Sequence, residues 1–211
     1  MLKNISHICI LLLLIAEAQA QKIIEKSWDA SKFEAVEIIS DDIFKIIITS
    51  KETATISLST KIEGENYEQV LVDISEEKQP RTLTLSTGFT PFFEGANDKL
   101  AAHKVISIEM ELIVPQNYSV LVRSALASAR LEGSFREVRL DLEFGNCVLT
   151  SFYGDADINT THGSIIVYAR EGVTAQANTM RGMVKNELNL KGALQIRAQS
   201  VNGDITILPS Q

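Results

Sequence analysis

The sequence predicts an all-β chain in which an N-terminal strand region runs on into a C-terminal β-solenoid of about five coils. Two observations predict it. From Ser119 to Pro209, turn glycines recur in two interleaved series: Gly145, Gly163, Gly182 and Gly203 at spacings of 18, 19 and 21, and Gly133, Gly154, Gly172 and Gly192 at 21, 18 and 20. Between the glycines, apolar and polar residues alternate, which is the period of a strand with one buried face. A unit of this length cannot bury its own apolar face, so it must stack on copies of itself.

Residues 1–20 read as a signal peptide. Lys3 and His7 precede the apolar run Ile8 to Ile15, and Ala18-Gln19-Ala20 supplies small residues before Gln21. The run is too short to span a bilayer, and Glu17 ends it. Cys9 lies inside the run with no small residue before it, which argues against lipid attachment there. Later, Ile38 to Ile48 is rich in isoleucine but interrupted by Ser40, Asp41, Asp42 and Lys45. The mature chain is therefore expected to be exported and to have no transmembrane segment. Cleavage removes Lys3 and Glu17, one charge of each sign, so the net charge stays at −7. An acidic chain without a basic stripe excludes nucleic acid as a partner, because phosphates require clustered Lys and Arg. Only Cys147 survives cleavage, so no internal disulfide forms. It falls at an inward position of the repeat and reads as a small buried apolar side chain.

The N-terminal β region spans residues 21–114. Gln21 to Ser31, with the only tryptophan, Trp28, reads as a lead-in. Strands follow at Ala35 to Ile38, Phe44 to Ile48, Thr55 to Ser59, Val70 to Ile74 and Thr82 to Leu85, with a helical turn suggested at Tyr67 to Val70. Thr87 to Lys104 reads as a long loop carrying Phe89, Phe92 and Phe93, and Val105 to Val114 as one long strand.

The repeats occupy 115–211, continuous with the region before them. The inward residues of the first strand in each coil are Val120, Val122 and Ser124, then Val138, Leu140 and Leu142, then Ala156, Ile158 and Thr160, then Val173, Ala175 and Ala177, and finally Leu194, Ile196 and Ala198. After each turn the chain points inward again at Ala129, Cys147, Ile165, Val184 and Ile205, and two residues on at Leu131, Leu149, Val167, Asn186 and Ile207. Asn186 breaks an otherwise apolar column. Stacked in chain order, the outward column reads Arg123, Asp141, Asn159, Gln176, Arg197, a polar ladder. Phe135 and Phe152 are placed to stack at a corner, and Pro209 to blunt the last open edge.

Phe33-Glu34-Ala35-Val36, Gly154-Asp155-Ala156-Asp157-Ile158-Asn159 and Asn202-Gly203-Asp204-Ile205-Thr206-Ile207, behind a signal peptide, resemble an exported bacterial family of unknown function named "putative auto-transporter adhesin, head domain". The resemblance covers nearly the whole mature chain. It implies a right-handed parallel β-helix and export into a Gram-negative envelope, and it supplies no catalytic residues.

Motifs for chemistry are sparse. His103 and His162 are the histidines of the mature chain, and a corner His162 and an inward Cys147 point apart, which a nucleophile and its base cannot do. Asp155, Asp157 and Asp204 lack the spacing of a calcium loop, and no phosphate-binding glycine loop occurs, so no metal or cofactor is expected. These readings converge on a non-enzymatic binding or structural module, periplasmic or on the cell surface. Its partner is a glycan or an envelope protein, and Phe89, Phe92 and Phe93 are the candidate partner-binding residues. Two alternatives use the same scaffold. One is a polysaccharide lyase or hydrolase built on Asp141 and Asp157 beside Arg123 and Arg139; the other is an envelope accessory protein.

Overall fold

In the computed structural model, residues 21–64, 66–78, 81–91, 106–188 and 191–210 are described. The expected leader, Phe92, Phe93 and His103 lie outside them. The chain forms fifteen strands in one continuous, open sheet: β1 (Gln21–Asp29), β2 (Ala35–Ile39), β3 (Lys45–Lys51), β4 (Thr55–Glu63), β5 (Val70–Lys78), β6 (Arg81–Phe89), β7 (Ser107–Pro115), β8 (Ser119–Ser124), β9 (Ser128–Leu142), β10 (Cys147–His162), β11 (Ile165–Ala169), β12 (Val173–Arg181), β13 (Val184–Asn186), β14 (Leu194–Asn202) and β15 (Ile205–Pro209). Single 3-10 turns at Ala30–Lys32 and Tyr67–Gln69 are the helical elements among the described residues, the second where the sequence suggests one.

Two parallel ladders make the body of the molecule. The first runs β6, β2, β8, β9, β10, β14, β12. The second runs β7, β3, β9, β10, β11, β15, β13. The long strands β9 and β10 serve both ladders, bending near Gly133 and Gly154, where φ is +110° and +149°. The inward residues align in register. Val36, Val120, Val138, Ala156, Ile196 and Ala175 form one buried row, and Ile46, Ala129, Cys147, Ile165 and Ile205 form another opposite it. Both belong to one hydrophobic cluster. Each fully buried Val or Ile contributes about 1.5–3 kcal/mol, so the rows carry most of the driving force. Phe135 and Phe152 stack inside a corner with ring centroids 6.1 Å apart, as expected.

Three features depart from the sequence expectation. Gln21–Asp29 is a strand, antiparallel to β4, rather than a lead-in, and β4 pairs antiparallel with β7. Tyr118, at the turn before β8, ties this region to the ladders by donating its hydroxyl to the carbonyls of Ala30 and Phe33. Thr87 to Phe89 belong to β6, paired with Val70 to Val72 of β5, and are not loop.

The third departure is the order of the last levels. The coils do not stack in chain order: β14 and β15 lie between β10–β11 and β12–β13. After Ala169, the turn Arg170-Glu171-Gly172 carries the chain past one level, and Gly172 has φ +90°. β14 and β15, which follow in sequence, then fill the gap. The skipped distance is two strand spacings, about 10 Å, which three or four residues can span. The outermost level is therefore β12–β13. That explains Asn186. It sits where the core ends, and its amide donates to the Ala175 carbonyl at 3.0 Å while its oxygen accepts from the Leu188 amide at 3.1 Å. Pro209 does not blunt the final edge; it pairs in register with Ala169 on the interior side of β15.

Candidate functional site

The outward face of the first ladder gathers the polar side chains into rows. One row, in register across the strands, is Glu37, Leu121, Arg139, Asp157, Arg197, Gln176. Its neighbour is Arg123, Asp141, Asn159, Gln199, Asn178. The column expected from chain order is thus split. Arg123, Asp141 and Asn159 do align, but the exchanged levels put Gln199 and Asn178 after them and move Arg197 and Gln176 to the adjacent row.

The half of this face nearest β8 is internally neutralised. Asp141 accepts from Arg139 Nε at 3.1 Å and from Asn159 Nδ2 at 3.1 Å, and Arg123 Nε lies 3.9 Å from it. Arg123 also reaches Glu37 at 3.8 Å, and Asn159 Nδ2 makes a further bond to Asp157 at 3.3 Å. The structure does bring Asp141, Asp157, Arg123 and Arg139 together. However, the two carboxylates lie side by side on an open face and share one amide, with no cleft between them. Cleavage of a glycosidic bond requires a pair that flanks it.

The half built from β14 and β12 is different. Gln176, Asn178, Arg197 and Gln199 are exposed, and the three amides make no side-chain hydrogen bond among the described residues. Beside them, Asn159, Thr161, Asn178, Met180, Gln199 and Val201 line a shallow groove of about 420 Å³. Each free amide offers one acceptor and a two-proton donor to solvent. Register sets Asn178 and Gln199 one strand interval apart, about 4.8 Å, with Gln176 two residues along β12 from Asn178. Sequence reasoning did not single out this patch: aligning Ala177 with Ala198 already sets Asn178 beside Gln199, but the pairing of Gln199 with Asn159 comes only from the exchanged levels.

The other sequence-singled residues lie elsewhere. Phe89 closes β6 at the opposite end of the first ladder and is partly exposed, next to Thr90, whose amide donates to the Gln69 carbonyl at 2.9 Å. His162 stacks on exposed Phe144 at a corner, with centroids 4.9 Å apart. Cys147 is wholly buried in the second ladder, and burial pushes its thiol well above the usual range. The two therefore do not pair. No group of three or more His, Cys, Asp or Glu residues suited to a metal occurs among the described residues, and no helix there is long and apolar enough to cross a membrane.

Comparison with solved structures locates the fold. A crystal structure named "putative cell adhesion protein", from Clostridium sporogenes, superposes with a TM-score of 0.60 at 12% identity, over 90% of this chain and 99% of that one. A "putative adhesin" from Parabacteroides merdae aligns over 89% of this chain and 82% of that one at 16% identity, with a TM-score of 0.42. One from Bacteroides fragilis covers 89% and 97% at 12% identity, with a TM-score of 0.38. This chain shares the fold of the Clostridium protein. No protein-family model and no curated protein matches the sequence.

Proposed function

We propose that this chain is an exported, adhesin-like binding module of the cell envelope, built on a right-handed parallel β-helix of about five coils and without enzymatic activity. The observation that carries the reading is the cluster of unengaged amides, Gln176, Asn178 and Gln199, over two adjacent rows of a parallel sheet beside a shallow groove. Such a surface suits the hydroxyls of an extended glycan. Each hydroxyl both donates and accepts, as each amide does, and a regular strand spacing meets a regular polymer. Adhesion is also the role named for the Clostridium protein that shares the fold. Phe89, with Phe92 and Phe93 beyond it in sequence, is proposed as a second, aromatic contact at the other end of the sheet.

The test passes residues 21–211 over a panel of immobilised polysaccharides, recording retention and released products together. Retention without products is expected, and it should fall about tenfold or more when Asn178→Ala and Gln199→Ala are combined, since each lost amide forfeits about 0.5–1.5 kcal/mol. Phe92→Ala with Phe93→Ala reports separately on the aromatic tip. Products that vanish in Asp157→Ala would replace this reading with a polysaccharide-active enzyme.

A further inference from the structure

Among the described strands, four bond to a single neighbour and so border the sheet: β1, β5, β12 and β13. An exposed strand edge is a template for another chain, and proteins usually blunt it with charge, proline or a bulge. β1 carries Lys22, Glu25, Lys26 and Asp29, and β5 carries Asp73, Glu76, Glu77 and Lys78. The outer edge of β12 is engaged at one point only among the described residues, where the Asn186 amide donates to the Ala175 carbonyl. From Val173 to Met180 it holds no charge, no proline and no glycine, and it is regular throughout its pairing with β14. The end of the core beside it is only half closed. Asn186 and Leu188 cover part of it, while nearby Met183 and Val184 are 74% and 46% exposed, and Met180 on the outer face is 76% exposed.

We propose that β12 pairs antiparallel with β12 of a second copy of this chain, about a two-fold axis through Gln176, joining two ladders end to end. A two-fold interface must be self-complementary, because each residue meets its counterpart's partner. This strand satisfies that condition in one register. Centred on Gln176, Ala175 faces Ala177, Thr174 faces Asn178, and Val173 faces Thr179, so small meets small, polar meets polar and one β-branched side chain meets another. At each rim Arg181 of one copy comes beside the turn before β12 of the other, the turn that carries Glu171, so opposite charges are brought together twice over. Both are exposed, and neither takes part in an ion pair among the described residues. Shifting the register by two residues in either direction loses this match of opposite charges. The pairing also brings the exposed apolar side chains of Met180, Met183 and Val184 beside the joined edge. The proposal stands apart from glycan recognition, because the amides of β12 and β14 remain on the outer face and are doubled in number.

Sedimentation equilibrium on residues 21–211 tests it. A concentration-dependent dimer is expected. Arg181→Glu or Glu171→Arg alone should raise its dissociation constant about tenfold or more, and the two combined should restore it, because the charges are exchanged and not removed. A second measurement uses Gln176→Cys. Opposed residues across an antiparallel pair lie about 4.5–5.5 Å apart at Cα, within disulfide range. Oxidation should therefore give a covalent dimer, with buried Cys147 inert. A chain that stays monomeric to about millimolar concentration, a dimer indifferent to both charge reversals, or one that does not cross-link at position 176 would overturn the proposal.

Discussion

At the corner between the two ladders, backbone from adjacent levels approaches so closely that side-chain identity is decided by a single contact. A Cβ built on Gly163 would lie 2.0 Å from the carbonyl oxygen of Gly145, and one on Gly203 would lie 2.0 Å from that of Gly163. Backbone cannot move away as the tip of a flexible side chain can, so the corner itself would have to shift. Gly163→Ala is therefore expected to cost about 2 kcal/mol or more in urea denaturation. Gly88→Ala is the matched control. There the added methyl meets only Asp73 Oδ2 at an ordinary 3.7 Å, and the substitution should be neutral or stabilise by about 0.5 kcal/mol through the unfolded chain. Equal losses at the two sites would mean that close approach is not why glycine occupies the corner.

At the level of elements, strands with one wet and one buried face were legible, and those lacking that contrast were not. β4 announces itself by clean alternation, β3, β7 and β8 by their β-branched and apolar content, and each inward residue of β8, β9 and β10 is buried. β1 is an edge strand whose residues are mostly exposed, so QKIIEKSWD carries no period of two and reads as a lead-in. The exchanged order of the last levels left one trace in the sequence, Asn186 at an apolar position. Strand spacing within a repeat says which residues point inward, but not which coil lies on which, and the polar patch of the candidate site depends on that choice. Asn186 also makes a prediction. Its two hydrogen bonds tie Leu188 to Ala175 of β12, so Asn186→Ala should cost about 1 kcal/mol and loosen amide exchange at Leu188. An unchanged midpoint and unchanged exchange there would show that the cap is dispensable.

For the whole molecule, the exchanged levels change the order in which the structure should come apart. In a solenoid stacked in chain order, the C-terminal strands lie outermost, with one neighbour each, and fray first. Here β14 is held between β10 and β12, and β15 between β11 and β13, whereas β12 and β13 have one partner apiece. Opening β12–β13 breaks one interface; opening β14–β15 breaks two and strands the outer level as well. Native-state hydrogen exchange, run dilute enough to keep the chain monomeric, should therefore find β14 and β15 better protected than β12 and β13 despite lying nearer the C-terminus. Ile196→Ala sharpens the comparison. Ile196 is fully buried and paired with both Ala156 and Ala175, so its truncation, worth about 2–5 kcal/mol, should lower protection of β12 together with β14. If exchange instead proceeds strictly inward from the C-terminus, β14 and β15 are the outer coil. Gln199 would then no longer pair with Asn159, and β12 would no longer offer a free edge to a second copy.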